Sequence, residues 1–288
     1  MRDADTVHGK VVLVTGGTSG IGKAAAKMLA AMGAEVVVTG RNRERGEAAV
    51  EEIKGDSGNE KVSLMLADLA AQAEVRRLAE EFENRHDRLD VLVNSAGLLQ
   101  SGRILTPDGM ETTLAVNHLA PFLLTNLLLE RLKKSAPSRV ITISSEAQRW
   151  GKLDFDNLQD ENSYRAFRAY GLSKLANIMF TYELAERLAG TGVTANCLHP
   201  GAVNTRFGGG SQGLSALFFR LAKPFMRTPE QGADTVVWLA AAPEVEGVTG
   251  RYFADRKEIS SSPVSHDEAA RKRLWEESER LTNLRVPS

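Results

Sequence analysis

The chain is short of almost everything that would place it outside the reducing interior of a cell. It has one cysteine, Cys197, set in an apolar run, so no disulfide framework can form within it and a reducing compartment is expected. It has no surplus of either charge: 36 Lys and Arg stand against 37 Asp and Glu, for a net of −1. Nothing in that balance points to nucleic acid or to an anionic membrane as partner. Residues 1–9 are polar and charged and carry no apolar segment, so no secretory signal is read there. Leu119–Leu129, one of the longest apolar stretches, is broken by Pro121 and Asn126 and falls well short of the roughly 20 residues that span a bilayer. Five histidines show no metal spacing, with His118 and His199 in apolar runs and His8, His86 and His266 in charged ones, so no metal site is expected. These absences predict a soluble cytoplasmic protein.

What is present is an alternation of strand and helix. Lys10–Thr15 (KVVLVT) is a β-branched run that ends in glycines, the pattern of a strand buried on both faces. An alanine-rich helix to about Met32 follows, then a strand over Ala34–Thr39, a helix over Glu44–Lys54 and a strand over Val62–Leu66. Leu89–Val93, Arg139–Ser145 and Val193–Leu198 predict further strands, and Gly250–Phe253 a short one at the edge. Asp108 to Lys134 reads as one long helical stretch, in which the polar Asn117 predicts a kink or a satisfied hydrogen bond. Trp150 to Tyr164 lacks periodicity and reads as a packed surface loop; Thr228–Ala241 and His266–Leu281 read as helices. With no internal repeat, linker or second core, residues 1–288 predict a single doubly wound α/β domain, a parallel sheet of about seven strands flanked by helices.

Three stretches suggest chemistry. Gly16-Gly17-Thr18-Ser19-Gly20-Ile21-Gly22 lies between the first strand and the first helix, where glycines let backbone approach a pyrophosphate and a helix N-terminus favours an anion. The same residues mimic a nucleotide-hydrolysing phosphate loop up to Lys23, but Ala24 stands where that loop needs a Ser or Thr for magnesium. At the end of the second strand there is no acid to hold ribose hydroxyls; Arg41 follows Gly40 instead and is free to meet a 2′-phosphate, which favours NADP(H) over NAD(H). Asp68, just past the third strand, is placed to accept from an adenine amino group or to cap the next helix. Finally, Tyr170 and Lys174 stand four apart on a predicted helix, so an ammonium lies beside a phenol. That neighbour is expected to lower the phenol's pKa towards the range of useful acid–base catalysis. Gly209-Gly210-Ser211-Gln212-Gly213 imitates a hydrolase nucleophile turn, but Asn204–Gly208 ahead of it is no buried strand, and chance is the better account.

Taken together these stretches resemble the short-chain dehydrogenase/reductase family along nearly the whole chain. Thr15–Gly22 matches its cofactor fingerprint, Asn94-Ser95-Ala96-Gly97 its N-[NS]-A-G stretch, and Asn117, Ser145, Tyr170 and Lys174 its four catalytic positions. Pro200-Gly201 with Thr205 matches the segment beside the nicotinamide. The interval between Ser145 and Tyr170, Leu172–Leu184 (LSKLANIMFTYEL) and the ending Pro243–Phe253 resemble the retinol dehydrogenase and protochlorophyllide reductase branch.

The resemblance implies a Rossmann-type domain with a cofactor-binding half at about 8–145 and a catalytic half at about 146–288. It implies an NADP(H)-dependent oxidoreductase moving a hydride between nicotinamide and an apolar carbonyl or alcohol, retinal-like or otherwise lipophilic; the alternative is a dinucleotide-sensing regulator without turnover. The cofactor set it implies begins with Gly16, Thr18, Ser19, Gly20, Ile21 and Gly22, and continues with Arg41, Asp68 and Leu69. Asn94, Ala96 and Gly97, then Tyr170 and Lys174, then Pro200, Gly201, Val203 and Thr205 complete it. Tyr170 would be the proton donor, Lys174 would depress its pKa and bind ribose, Ser145 would hold the substrate oxygen, and Asn117 would hold a water leading from Lys174 to solvent. Many relatives pair through the helices carrying Asn117 and Tyr170, and the Trp150–Tyr164 insertion lies near that surface, so the resemblance leaves both a homo-oligomer and a monomer open. The glycine-rich, aromatic stretch at 204–226, with Phe207, Leu214, Phe218 and Phe219, is read as a lid over the nicotinamide end, in preference to a core-packed or a membrane-surface helix.

Overall fold

The computed structural model describes residues 7–203 and 226–284. Its sheet is built from β1 (Val11–Val14), β2 (Glu35–Gly40), β3 (Val62–Leu66), β4 (Val91–Asn94), β5 (Ser138–Ile143), β6 (Val193–Leu198), β7 (Arg251–Ala254) and β8 (Lys257–Glu258). They lie in the order β3-β2-β1-β4-β5-β6-β7-β8, every pair parallel except the last. The chain reverses direction of winding between β1 and β4, and ligands of such sheets bind outside the strands' carboxyl ends at that point. The eighth strand exceeds the sequence expectation. It is two residues long and returns through Asp255 and Arg256, both left-handed (φ 51° and 59°) without glycine, so no turn signal marks it.

Both faces of the sheet are apolar, and alternate residues of each strand enter different cores. Val12, Val14, Val36, Val38, Val91, Val93, Ile141 and Ile143 face α1 (Gly20–Ala31), α2 (Arg43–Ser57) and α8 (Pro229–Ala241). Val11, Leu13, Val37, Leu92 and Val140 face α3 (Gln72–Arg85), α5 (Ala120–Leu127) and α7 (Ala166–Arg187). Two-sided burial is why the strands read as unbroken apolar runs. A side chain such as Leu13, fully buried, contributes about 2 kcal/mol to holding the layers together.

The stretch expected as one helix from Asp108 is divided. Asp108 lies outside it and accepts from the Gln72 amide at 2.8 Å, capping α3. The helix begins as α4 (Thr112–Leu114), capped by Glu111, continues as a π turn over Ala115–Leu119, then as α5 and α6 (Leu129–Lys134). The π turn is centred on Asn117, for which the sequence predicts a kink or a satisfied hydrogen bond. The last helix, α9 (Glu268–Thr282), packs on α7. Its Trp275 stands edge-on to Phe122 (4.9 Å between ring centres) and stacks on Phe180 (5.8 Å). Part of the surface that the family resemblance assigns to subunit pairing is thus covered by the chain's own α9.

Candidate active site

The cradle is assembled from the ends of β1 and β4. Thr15 Oγ1 lies 3.3 Å from the Val93 carbonyl and accepts from the amides of Ser95 (3.0 Å) and Ala96 (3.2 Å), tying the glycine turn to the Asn94–Gly97 stretch. Gly16 has φ +66°, and a Cβ there would sit 2.8 Å from Ala96 Cα; a Cβ on Gly22 would sit 2.6 Å from the Gly16 carbonyl oxygen. Neither position tolerates a side chain. Ser19 stands at the N-cap of α1 in an extended conformation, yet its side chain makes no capping bond and no acid lies in the first turn. α8, packed against α1, has a full capping box of Thr228 and Gln231, and Glu230 in its first turn. An uncapped helix start over a glycine turn keeps amide groups and a positive dipole end available to an anion. Lys23 has no part in it: its amine is 2.6 Å from Glu52.

Arg41 follows the last residue of β2, is exposed, and makes no hydrogen bond or ion pair among the described residues. Asn42, not Arg41, caps α2. Asp68 is also exposed; its Oδ1 accepts from the Ala70 amide at 3.1 Å. It does not cap α3, whose N-cap is Ala71 and whose first amide is taken by Asp108, so that part of the sequence reading is corrected. Leu69 packs at the edge of the core behind it. Ile21 and Val203 meet over α8, both within 3.2 Å of the Cβ that Gly232 lacks. Gly201 is left-handed (φ 77°) and packed against the Arg227 guanidinium, and Val203 bridges to Arg227. Thr205, the G-x-S-x-G stretch at 209–213 and all of the expected lid except Met226 lie outside the described residues.

The four positions that the family resemblance marks as catalytic come together beyond the ends of β4 and β5. Gly97 stands beside two of them, its Cβ position 3.4 Å from Asn117 Oδ1 and 3.5 Å from Lys174 Nζ. Lys174 is buried and donates to the Ile143 carbonyl at 2.9 Å; its Nζ lies 5.6 Å from the centre of the Tyr170 ring. Burial lowers its pKa to about 8. Ser145 hydrogen-bonds the phenol, which lowers the pKa of Tyr170, but burial is the larger influence and pushes it up to about 12. The expected lowering of the Tyr170 pKa is therefore corrected: within this chain burial raises Tyr170 and lowers Lys174, so both side chains are driven towards their neutral forms.

Asn117 is fully engaged. Its amide donates to the Leu98 carbonyl (2.9 Å) and to Ser173 Oγ (3.0 Å), while its Oδ1 accepts from the Leu98 amide (2.8 Å). Both donors are committed to protein, so the side chain acts as a brace between the β4 end and α7, and the expected water relay cannot rest on its N–H groups. Sequence reading passed over its partners. Ser173 Oγ also donates to the Tyr170 carbonyl (2.8 Å), Ser144 Oγ donates to the Lys174 carbonyl (2.7 Å), and Asn177 shares the Ile143 carbonyl with Lys174 at 3.3 Å. The signal was available for Ser144, one of two hydroxyls closing β5, and for Asn177, a buried amide one turn beyond Lys174. Asn94, also buried, donates to Thr125 Oγ1 at 3.0 Å and leaves its Oδ1 without a partner.

The cradle fits a dinucleotide: an open helix start, glycines that a Cβ would obstruct, and a buried lysine beside Gly97. Among the described residues no group of three His, Cys, Asp or Glu is arranged to hold a metal ion, and no helix is long and apolar enough to cross a membrane. Comparison with known proteins agrees with the geometry. The short chain dehydrogenase family pattern matches residues 10–212. Human retinol dehydrogenase 14 is 43% identical over 98% of this chain and 89% of its own length. An uncharacterized protein from Mycobacterium Paratuberculosis superposes with a TM-score of 0.80 at 31% identity, covering 99% of this chain and 98% of its own. A short chain dehydrogenase from Burkholderia cenocepacia, solved in complex with NADP, superposes with a TM-score of 0.69 at 29% identity over 86% of this chain and 96% of its own. The chain belongs to the short chain dehydrogenase family, in its retinol dehydrogenase branch, and is an oxidoreductase acting on alcohol or carbonyl groups.

Proposed function

We propose that the protein is an NADP(H)-dependent oxidoreductase that interconverts a lipophilic carbonyl compound and its alcohol. The observation that carries the reading is the convergence of Tyr170, Lys174, Ser145 and Asn117 on the end of the cradle, with Gly97 within reach of both Lys174 and Asn117. The nicotinamide, when bound, gives or takes the hydride. Tyr170, kept protonated by burial, donates its proton to the oxygen of the carbonyl as it becomes an alcohol, and takes it back in the reverse direction. The Ser145 hydroxyl, next to that phenol, donates to the same substrate oxygen where charge develops. Lys174, titrating near neutrality, supplies positive charge beside the phenol when protonated and holds ribose hydroxyls. Asn117 fixes Leu98 and Ser173, and through Ser173 the turn of α7 that presents Tyr170.

The lipophilic substrate is suggested by the retinol dehydrogenase relatives, and the choice of NADP(H) by Arg41, exposed at the end of a strand that carries no acid, and by the NADP-bound neighbour. The test is a panel of retinal-like and straight-chain aldehydes with NADPH and NADH, followed by nicotinamide absorbance. Faster turnover with NADPH supports the reading; equal use of both cofactors, or no turnover of any carbonyl or alcohol, overturns it. A charge-assisted hydrogen bond to a 2′-phosphate contributes about 1.5–3 kcal/mol, roughly ten- to a hundred-fold in affinity. Arg41→Ala should therefore weaken NADPH by that order and leave NADH unchanged in a binding titration; equal loss for both would show that Arg41 serves another end.

A further inference from the structure

Outside the four catalytic positions, one hydroxyl joins three separate segments of the chain. The Tyr164 hydroxyl faces two acceptors for its proton, the Gln100 carbonyl at 3.0 Å and the more distant Glu111 Oε1 at 3.3 Å, and its oxygen lies 3.2 Å from Thr113 Oγ1. Gln100 belongs to the stretch that leaves the catalytic centre after Gly97. Glu111 and Thr113 belong to the start of α4, where the Glu111 carboxylate accepts from the amides of Thr113 and Leu114, each at 2.7 Å. Tyr164 itself belongs to the loop that runs into α7, six residues before Tyr170. A second stitch runs parallel: Gln159 Oε1 accepts from the Glu111 amide at 3.0 Å, and the Gln159 carbonyl accepts from Arg103 Nε at 3.1 Å.

The stretch held in this way begins at the reaction centre, because Leu98 is clamped to Asn117. It ends at Ile104 and Leu105, large apolar side chains that are 52% and 49% exposed. It therefore forms a wall that starts beside Lys174 and carries apolar surface outwards. Between Leu98 and the bridge from Leu105 to Glu111 it is bound, through the Tyr164 hydroxyl, to the loop that leads into the helix of Tyr170.

We propose that Tyr164 is a specificity-determining positioning residue, whose hydroxyl sets the distance between the 98–105 wall and Tyr170 and so limits the substrates that seat their reacting carbon at the phenol. The inference rests on the oxidoreductase reading above, since the wall borders a substrate only if Tyr170 is the proton donor. Burial raises the Tyr164 pKa, so the hydroxyl keeps its proton at any working pH. Without it the Gln100 carbonyl loses its donor, while the α4 cap keeps both amide bonds, so the wall loosens and the fold does not.

Tyr164→Phe keeps the ring and removes the bond. In hydrogen–deuterium exchange on the protein alone, the Leu98 amide, bonded at the root of the wall, and the Thr112 amide, bonded to the Ile104 carbonyl at its end, should exchange roughly five-fold faster, as expected for loss of one hydrogen bond, with α1 and α7 unchanged. Unchanged exchange in the wall overturns the clasp. In turnover of straight-chain aldehydes with NADPH, KM should rise roughly five-fold for the longest and stay within about two-fold for the shortest, with kcat and NADPH affinity retained. An equal change at every length, or a fall in kcat alone, overturns the specificity role. Arg103→Leu cuts the parallel stitch at the wall, removing the donor to the Gln159 carbonyl, and should move the same amides and the same KM values; if the Phe variant fails to fold, this variant decides alone. A parent protein that turns over none of the aldehydes defeats the oxidoreductase reading, and the exchange measurement still decides the clasp.

Discussion

Helix α7 presents two pairs of titratable side chains at the same spacing, Tyr170 with Lys174 and Glu183 with Arg187, and surrounds them differently. Arg187 Nε donates to Glu183 Oε1 at 2.8 Å and its guanidinium lies 4.3 Å from the Trp275 ring centre. Arg271 of α9 approaches Glu183 at 3.9 Å and pairs with Glu186. Every charge there has an opposite neighbour. At the other end, Lys174 is buried against a carbonyl, with no carboxylate beside it among the described residues, and its pKa falls to about 8 while that of Tyr170 rises to about 12. One sequence spacing thus serves two ends. Compensated charge fastens α9 to α7, whereas uncompensated burial leaves groups whose protonation can change during a reaction.

Removing the phenol tests the uncompensated end most severely. Tyr170→Phe should retain fold and NADPH affinity and lose turnover by about 100-fold or more, the usual contribution of a general acid. Turnover close to that of the parent would show that the two ends do not differ in the way described. The compensated end should respond in the opposite sense. Glu183→Gln takes the charge-assisted bond from Arg187 and leaves the buried Arg271 with Glu186 as its remaining carboxylate, a loss of about 2 kcal/mol. Thermal unfolding should show that loss while kcat/KM is unchanged. A variant that melts like the parent but turns over poorly would join the two ends into one functional unit.

The contrast between the ends could not be read from spacing, and the rest of the molecule divides along the same line. What depends on near neighbours was legible: the glycine turn after β1, Val62–Leu66 and Val193–Leu198 as strands with the bounds observed, Thr228 as the start of α8, and Asn117 as a polar residue in an apolar helix that needs its hydrogen bonds met. What depends on distant partners was not. The Tyr170 pKa is raised by burial, a property of the whole surroundings that a lysine four residues away does not reveal. Asn117 is held by Leu98 and Ser173, 19 and 56 residues off, and α3 is capped by Asp108 from 36 residues away. The turn before β8 uses two non-glycine residues in left-handed conformation, which short polar side chains or tertiary support allow but no motif announces. In each case the missing information was three-dimensional proximity.

The smallest expected effect concerns Lys174, and it appears in stability. Its pKa falls from 10.5 to about 8 because burial penalises the ammonium. Above the unfolded value the amine is neutral in both states and burial carries no charge penalty. Between 10.5 and 8 the unfolded chain binds a proton that the folded chain does not, so stability declines as pH drops through this window. Below 8 both states are protonated and the full penalty, about 3 kcal/mol, stands. Lys174→Met removes the penalty together with the bond to Ile143, which contributes about 1 kcal/mol. At pH 6.5 the Met variant should therefore be more stable than the parent by about 1–2 kcal/mol, a rise of a few degrees in Tm. At pH 10.5 the gain should vanish. Turnover should be poor at both, which distinguishes this variant from Glu183→Gln, active and destabilised throughout. A Met variant that melts below the parent at pH 6.5 would mean that Lys174 is compensated after all, and that the two ends of α7 are alike.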